Sequence, residues 1–138
     1  MHPIYNTYCP DGFGTMSPYL FVTDGLAYLD FLQKTFYAEV MQSHVNEETG
    51  LLANAIVKIG KSCFMVSEGR DEFAGMRTSF YLYVNDVDAL HAHAVDAGCI
   101  SVFEPADMPY RDRQSGVIDP AGNYWWLSTR LEEKNYHD

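Results

Sequence analysis

The residue types best suited to chemistry in this chain sit in two matching phrases. Ser17-Pro18-Tyr19-Leu20-Phe21-Val22-Thr23-Asp24 reappears as Ser79-Phe80-Tyr81-Leu82-Tyr83-Val84-Asn85-Asp86. Side chains alternate between the two faces of a strand, so Ser17, Tyr19 and Phe21 share one face, and Ser79, Tyr81 and Tyr83 share its counterpart. Rings with hydroxyl tips stack on planar organic molecules and hydrogen-bond to their polar edges. Such stacking adds about 0.5–1.5 kcal/mol per pair beyond area burial. The competing reading is that these aromatics fill a core. Their recurrence at matched positions, and the need of each hydroxyl for a partner, argue for a pocket.

Other chemistries find less support. Ser17 and Ser79 have no histidine nearby in sequence to act as base, so a nucleophilic triad is not indicated. His91 and His93 are two apart in a helical stretch and point to different sides. His44 stands near a turn, and His2 and His137 lie in the tails. Cys9, Cys63 and Cys99 are odd in number and widely spaced, without a CxxC or Cys/His zinc pattern. They read as reduced, small apolar residues. Glu39 and Glu68 are candidate acid/base groups, with surface carboxylates as the plainer reading. Asn54, in mid-strand, can orient a ligand or bond to backbone. Tyr110-Arg111-Asp112-Arg113 brings guanidinium groups near the same tyrosines. An inward arginine binds a carboxylate or phosphate in bidentate fashion. The alternative is a structural pair of Arg113 with Asp112 or Asp119.

These residues need elements to position them. Asp24 and Asp86 are N-cap candidates. Leu29, Leu32 and Phe36 form one helical stripe, and Val87, Leu90, Ala94 and Ala97 form another. Gly98 stands where a helix ends. Strands are expected at about 16–22, 38–45, 51–58 and 62–67, then at 78–84, 100–103, 114–118 and 124–129. Turns fall at Glu47–Gly50, Gly60-Lys61 and Asp119-Pro120-Ala121-Gly122-Asn123. Glu104 to Asp112 reads as a proline-containing loop. The order β-α-β-β-β therefore occurs twice, as expected of one supersecondary unit used twice. The fold class is α+β, with helices covering one face of each sheet.

Residues 1–15 read as an irregular arm, 16–130 as a single domain of two modules (about 16–68 and 78–130), and 131–138 as a charged tail. A chain of 138 residues, 47% hydrophobic and 20% charged, suits one globular domain. Its formal net charge of -10 repels phosphate backbones and argues against nucleic acid. No apolar run approaches the roughly 18 residues that span a bilayer. Met1 to Gly14 lacks a basic start followed by an apolar run, so the expected compartment is the cytoplasm.

The paired modules, with the phrases Ser17-Pro18-Tyr19-Leu20-Phe21-Val22, Ile59-Gly60-Lys61-Ser62 and Asp112-Arg113 followed by Asp119-Pro120, resemble the vicinal oxygen chelate superfamily. That group includes glyoxalase I, extradiol dioxygenases and bleomycin-resistance proteins. The phrases are most similar to its PhnB-like subgroup. The resemblance implies a cupped mixed sheet of two tandem βαβββ modules, commonly in a homodimer. In metal-dependent members the ligands come from the first and last strand of each module. The matching positions here are Ser17, Met65, Ser79 and Trp126. Two hydroxyls, a thioether and an indole carry no negative charge and do not repay the dehydration of a divalent ion. No cofactor is therefore expected.

The face of the closing strands adds Cys63, Met65 and Ser67 in one module, and Tyr124, Trp126 and Ser128 in the other. Because Asp112-Arg113 matches the subgroup, Arg113 is the favoured guanidinium. The ligand-binding set is then Ser17, Tyr19, Met65, Ser79, Tyr81, Tyr83, Arg113 and Trp126. The function expected is metal-free binding of a planar or amphipathic small molecule. The alternatives are a lyase, isomerase or dioxygenase-type enzyme with an atypical site, and a module whose ligand site is lost.

Overall fold

The computed structural model describes residues 1–138. The chain divides into two compact units, Met1–Met76 and Arg77–Asp138. The first contains β1 (Tyr19–Val22), α1 (Gly25–Phe36), β2 (Glu39–Val45), β3 (Leu52–Ile59) and β4 (Ser62–Glu68). The second repeats that order with β5 (Ser79–Tyr83), α2 (Val87–Asp96), β6 (Ile100–Asp107), β7 (Asp112–Ile118) and β8 (Tyr124–Arg130). Each unit is a four-stranded mixed sheet, ordered β1-β4-β3-β2 in one and β5-β8-β7-β6 in the other. The outer strands β1 and β5 run parallel to β4 and β8, and the remaining pairs are antiparallel.

One face of each sheet is closed by its helix. In the first unit Tyr28, Leu29, Leu32 and Phe36 bury against Leu20, Val22, Leu52, Ala55, Val57, Phe64 and Val66. Asp24 accepts the Ala27 N–H at 3.4 Å. Glu68, from the end of β4, accepts the N–H groups of Asp24 and Gly25 at 2.8 Å each. A carboxylate at the positive end of a helix is a stabilising arrangement, so Glu68 is committed to holding the start of α1.

In the second unit Trp125 is 1% exposed and stacks on Phe80 at 4.3 Å between centroids, among Val87, Ala94, Val117 and Leu127. Asp86 caps α2 through the Ala89 N–H at 3.1 Å. The buried face of α2 is Val87, His91 and Ala94; Leu90 is half-buried and Ala97 exposed. His91 thus takes a place that the apolar stripe assigned to leucine. Its ring is held between Ser115 Oγ at 2.8 Å and Ser101 Oγ at 3.0 Å, which satisfies both ring nitrogens inside the unit. Gly98 adopts a φ of 107°, a left-handed conformation suited to glycine, and turns the chain into β6.

Three boundaries differ from expectation by two residues or more. β1 begins at Tyr19, so Ser17 precedes the strand, and Gly12 of the arm accepts the Cys63 N–H at 2.8 Å instead. β6 continues through Pro105 to Asp107 rather than ending at 103. It is an edge strand whose ladder shifts register between Ser101 and Phe103 and again between Phe103 and Ala106. An irregular edge strand is where a residue without an N–H fits. β7 starts at Asp112, so the loop shrinks to Met108–Arg111. No helix is long and apolar enough to cross a membrane.

Candidate ligand-binding site

The face of each sheet turned away from its helix carries the hydroxyl-tipped aromatics. In the second unit Ser79, Tyr81 and Tyr83 project from β5, opposite Tyr124, Trp126 and Ser128 of β8. Tyr81 is 42% exposed and Tyr83 57%. Trp126 Nε1 donates to Ser79 Oγ at 2.6 Å, which fixes the indole plane. Tyr124 and Phe103 flank that ring at 5.7 and 6.1 Å. Gly116 lies opposite Trp126 in the ladder, and a Cβ there would stand 2.6 Å from the indole. The close approach requires glycine.

Beside these rings lies a polar cluster centred on Asp112, which is fully buried. Its Oδ2 accepts from the Tyr81 hydroxyl at 2.5 Å and from the Tyr136 hydroxyl at 2.6 Å. Its Oδ1 accepts from the Arg130 guanidinium at 3.1 Å. Gln114 Oε1 accepts from Tyr110 and lies 3.1 Å from the Tyr81 hydroxyl, whose single proton goes to the closer Asp112. Burial alone pushes the Asp112 carboxyl upward, but hydrogen bonds from Tyr136, Tyr81 and Arg130 outweigh it and hold the group below the usual carboxylate range. The Tyr81 phenol moves the other way. Burial, then its bond to Asp112, push it up to about 12. Ser128 Oγ, on the same face, is buried without a hydrogen-bond partner.

The first unit carries a simpler version. Tyr19 lies opposite Met65, and Phe21 opposite Ser67. Tyr19, Phe21 and Phe73 form a run of stacked rings, 4.7 and 4.6 Å apart. The Tyr19 hydroxyl meets Ser67 Oγ at 2.8 Å and accepts from Asn54 Nδ2 at 3.1 Å. Tyr19 and Tyr81 therefore occupy equivalent places on the two sheets, each with a serine of the closing strand opposite the next aromatic.

The residues singled out from sequence fall into three groups. Ser79, Tyr81, Tyr83 and Trp126 share one face of the second sheet, and Tyr19 and Met65 share the matching face of the first. Ser17 is half-buried in the segment before β1. Arg113 is on the opposite, helix-covered side of its sheet. Its guanidinium grips Asp88 of α2 with two bonds, 2.8 and 2.9 Å, and Asp107 of β6 at 3.0 Å. Those bonds hold Asp88 below and Arg113 above their ordinary ranges. The partners are neither Asp112 nor Asp119. Asp119 instead accepts the N–H groups of Ala121 and Asn123 and the Trp125 indole, at 2.9, 3.0 and 2.8 Å, so the Asp-Pro-Ala-Gly-Asn phrase builds a turn.

Five residues of the cluster were not placed in the ligand-binding set from sequence: Tyr110, Asp112, Gln114, Arg130 and Tyr136. The signal available was the alternation of β7 and β8. It puts Asp112, Gln114 and Arg130 on the tyrosine face once the strands start and end where they do. The donor set of these faces does not suit a metal ion. Met65, Ser79 and Trp126 supply no charge, Asp112 is committed to three donors, and no three His, Cys, Asp or Glu side chains in the chain gather to hold one.

No family model matches the chain. A curated relative, an uncharacterized protein of Mycobacterium bovis called Mb0911c, is 30% identical over 131 residues, covering 87% of this chain and 86% of its own. Among solved structures, TioX from Micromonospora sp. ML1 superposes with a TM-score of 0.71 at 23% identity, over 84% of this chain and 98% of its own. A glyoxalase/bleomycin resistance/dioxygenase family enzyme from Burkholderia phytofirmans PsJN gives 0.66 at 21%, over 87% and 98%. The fosfomycin resistance protein FosX from Listeria monocytogenes, solved with Mn(II) and sulfate, gives 0.67 at 19%, over 85% and 90%. The chain belongs to the family of its mycobacterial relative, and its fold is that of the glyoxalase/bleomycin resistance/dioxygenase, or vicinal oxygen chelate, superfamily.

Proposed function

We propose that this protein is a cytoplasmic, homodimeric small-molecule-binding protein that takes a planar or amphipathic ligand without a metal ion. The observation that carries the reading is the open aromatic face of the second sheet, where Tyr81 and Tyr83 stand exposed beside the Ser79-anchored indole of Trp126. Aromatic surface with a few fixed polar groups is the usual composition of an organic-ligand site. Tyr19 and Met65 offer the equivalent surface in the first unit. Arg130 takes the place of Arg113 as the guanidinium on the ligand-facing side. A formal charge of -10 and the faces of Tyr and Trp favour a cationic ring system. Edge strands β2 and β6 expose Met41, Val45, Ile100 and Val102, which supports association with a second copy.

Calorimetric titration with the planar cation proflavine, with and without EDTA, tests the reading. Saturable binding indifferent to EDTA and at least about tenfold weaker in Trp126→Ala is expected, since truncating a tryptophan hot spot costs about 2 kcal/mol or more and about 1.4 kcal/mol is tenfold. Binding that appears only with an added divalent ion, or failure of both proflavine and the planar anion 1-naphthoate to saturate, overturns it.

A further inference from the structure

The chain places one of its own phenols on the Asp112 cluster. Tyr136, in the segment after β8, donates its hydroxyl to Asp112 Oδ2 at 2.6 Å and also meets the Tyr83 hydroxyl. The Arg130 guanidinium lies over its ring, 4.4 Å from the centroid. The same guanidinium reaches Asp112 Oδ1 at 3.1 Å and the Lys134 carbonyl at 3.0 Å. The Tyr136 ring is therefore held at its face by a cation and at its hydroxyl by a buried carboxylate. That pair of contacts recognises a phenol: a ring without the hydroxyl leaves a lone pair of Asp112 unmatched, and an aliphatic alcohol loses the guanidinium contact.

The occupant is lightly attached. Tyr136 is 54% exposed, and residues 133–138 are all exposed and lie outside any helix or strand. By contrast, the cluster beneath is built on strands β5, β7 and β8. Asp112 is 0% exposed, and Tyr81 and Arg130 hold it from two sides. A firm receptor with a replaceable occupant is the arrangement of a site filled by an internal stand-in.

We infer that Asp112, Arg130 and Tyr83 form a phenol-binding subsite which Tyr136 occupies in place of the ligand, and that the ligand carries an aromatic hydroxyl. This rests on the proposed binding function and narrows its ligand class to planar compounds bearing a neutral phenol. A tethered group competes at an effective concentration on the order of millimolar. Free phenols therefore bind the intact chain only weakly until Tyr136 is displaced.

The test uses p-cresol, which is the tyrosine side chain itself, and toluene, which is the same ring without the hydroxyl. Affinities for the full chain and for Tyr136→Ala are read from NMR shift titrations. The variant is expected to bind p-cresol at least about tenfold more tightly than the parent, with less than about twofold gain for toluene. Tyr136→Phe, which keeps the ring and drops the hydroxyl, is expected to fall between. Equal affinity of parent and variant for p-cresol, or an equal gain for toluene, overturns the inference. Proflavine separates the two readings. If it binds parent and variant alike while p-cresol gains nothing, the binding function stands and the phenol subsite falls. If p-cresol gains as expected and proflavine does not bind, the subsite stands and the choice of a cationic ligand falls.

Discussion

The Tyr81 hydroxyl donates to Asp112 Oδ2 at 2.5 Å across an intervening strand, since β8 lies between β5 and β7. The bond contributes to displacing the two residues in opposite directions. Tyr81 is raised to about 12 from an ordinary 10.0, so folding favours its protonated form. That contribution is complete below about pH 10 and fades as pH rises toward 12. Tyr136 is raised in the same direction by burial and by its bonds to Asp112 and Tyr83. Asp112 is lowered from 3.8, so its contribution is complete above that value and fades as pH falls below it. The urea midpoint of the parent is expected to decline more steeply between pH 9.5 and 11.5 than that of the double variant Tyr81→Phe, Tyr136→Phe. Parallel decline in the two proteins assigns the alkaline loss to other groups.

Asp119 is the other buried carboxylate with several donors, and its work is structural. Three groups converge on it, from Ala121, Asn123 and the Trp125 indole. Asp119→Ala removes these acceptors from a site that is 4% exposed. Leaving buried donors unmatched costs about 1–3 kcal/mol each at full effect. A loss of about 2–4 kcal/mol in urea unfolding is expected. Asp119→Asn, which keeps one carbonyl acceptor, is expected to lose less. A loss under about 1 kcal/mol for the alanine variant removes Asp119 from the framework of the turn.

Much of the fold was legible because local chemistry and global fold agree. Aspartates 24 and 86 cap the helices they precede, and the doubled Tyr-Leu phrases became the parallel outer strands β1 and β5. The hydroxyl-tipped face was legible where the repeat fixed the phase of a strand, at Tyr19 in β1 and at Tyr81 and Tyr83 in β5. It was illegible where phase depended on a boundary. β7 begins two residues before its expected start, which brings Asp112 and Arg113 into its alternation, so that Asp112 joins Gln114 on the tyrosine face and Arg113 faces α2. The pairing of Arg113 with Asp88 joins a strand to a helix, which no local pattern announces. Tyr136 escaped for a similar reason. A polar tail carries no periodicity, and only the position of Arg130 at the end of β8 draws its ring onto Asp112.

Gly116 tests whether the aromatic face is built to close tolerance. Its φ is not in the left-handed region, so conformational freedom is not why it is there. A methyl group at that position would lie 2.6 and 2.8 Å from two atoms of the Trp126 ring and 3.2 Å from Phe103. The indole cannot tilt freely, because Nε1 is held by Ser79 at 2.6 Å. Gly116→Ala is therefore expected to lower stability by about 1–3 kcal/mol through overpacking. It is also expected to weaken proflavine binding more than p-cresol binding, since the displaced ring is Trp126 and the Asp112 cluster is anchored elsewhere. Gly116→Ala with parental stability and parental proflavine affinity would mean that the Trp126 ring yields easily. The indole would then be a mobile wall of the site rather than a fixed one.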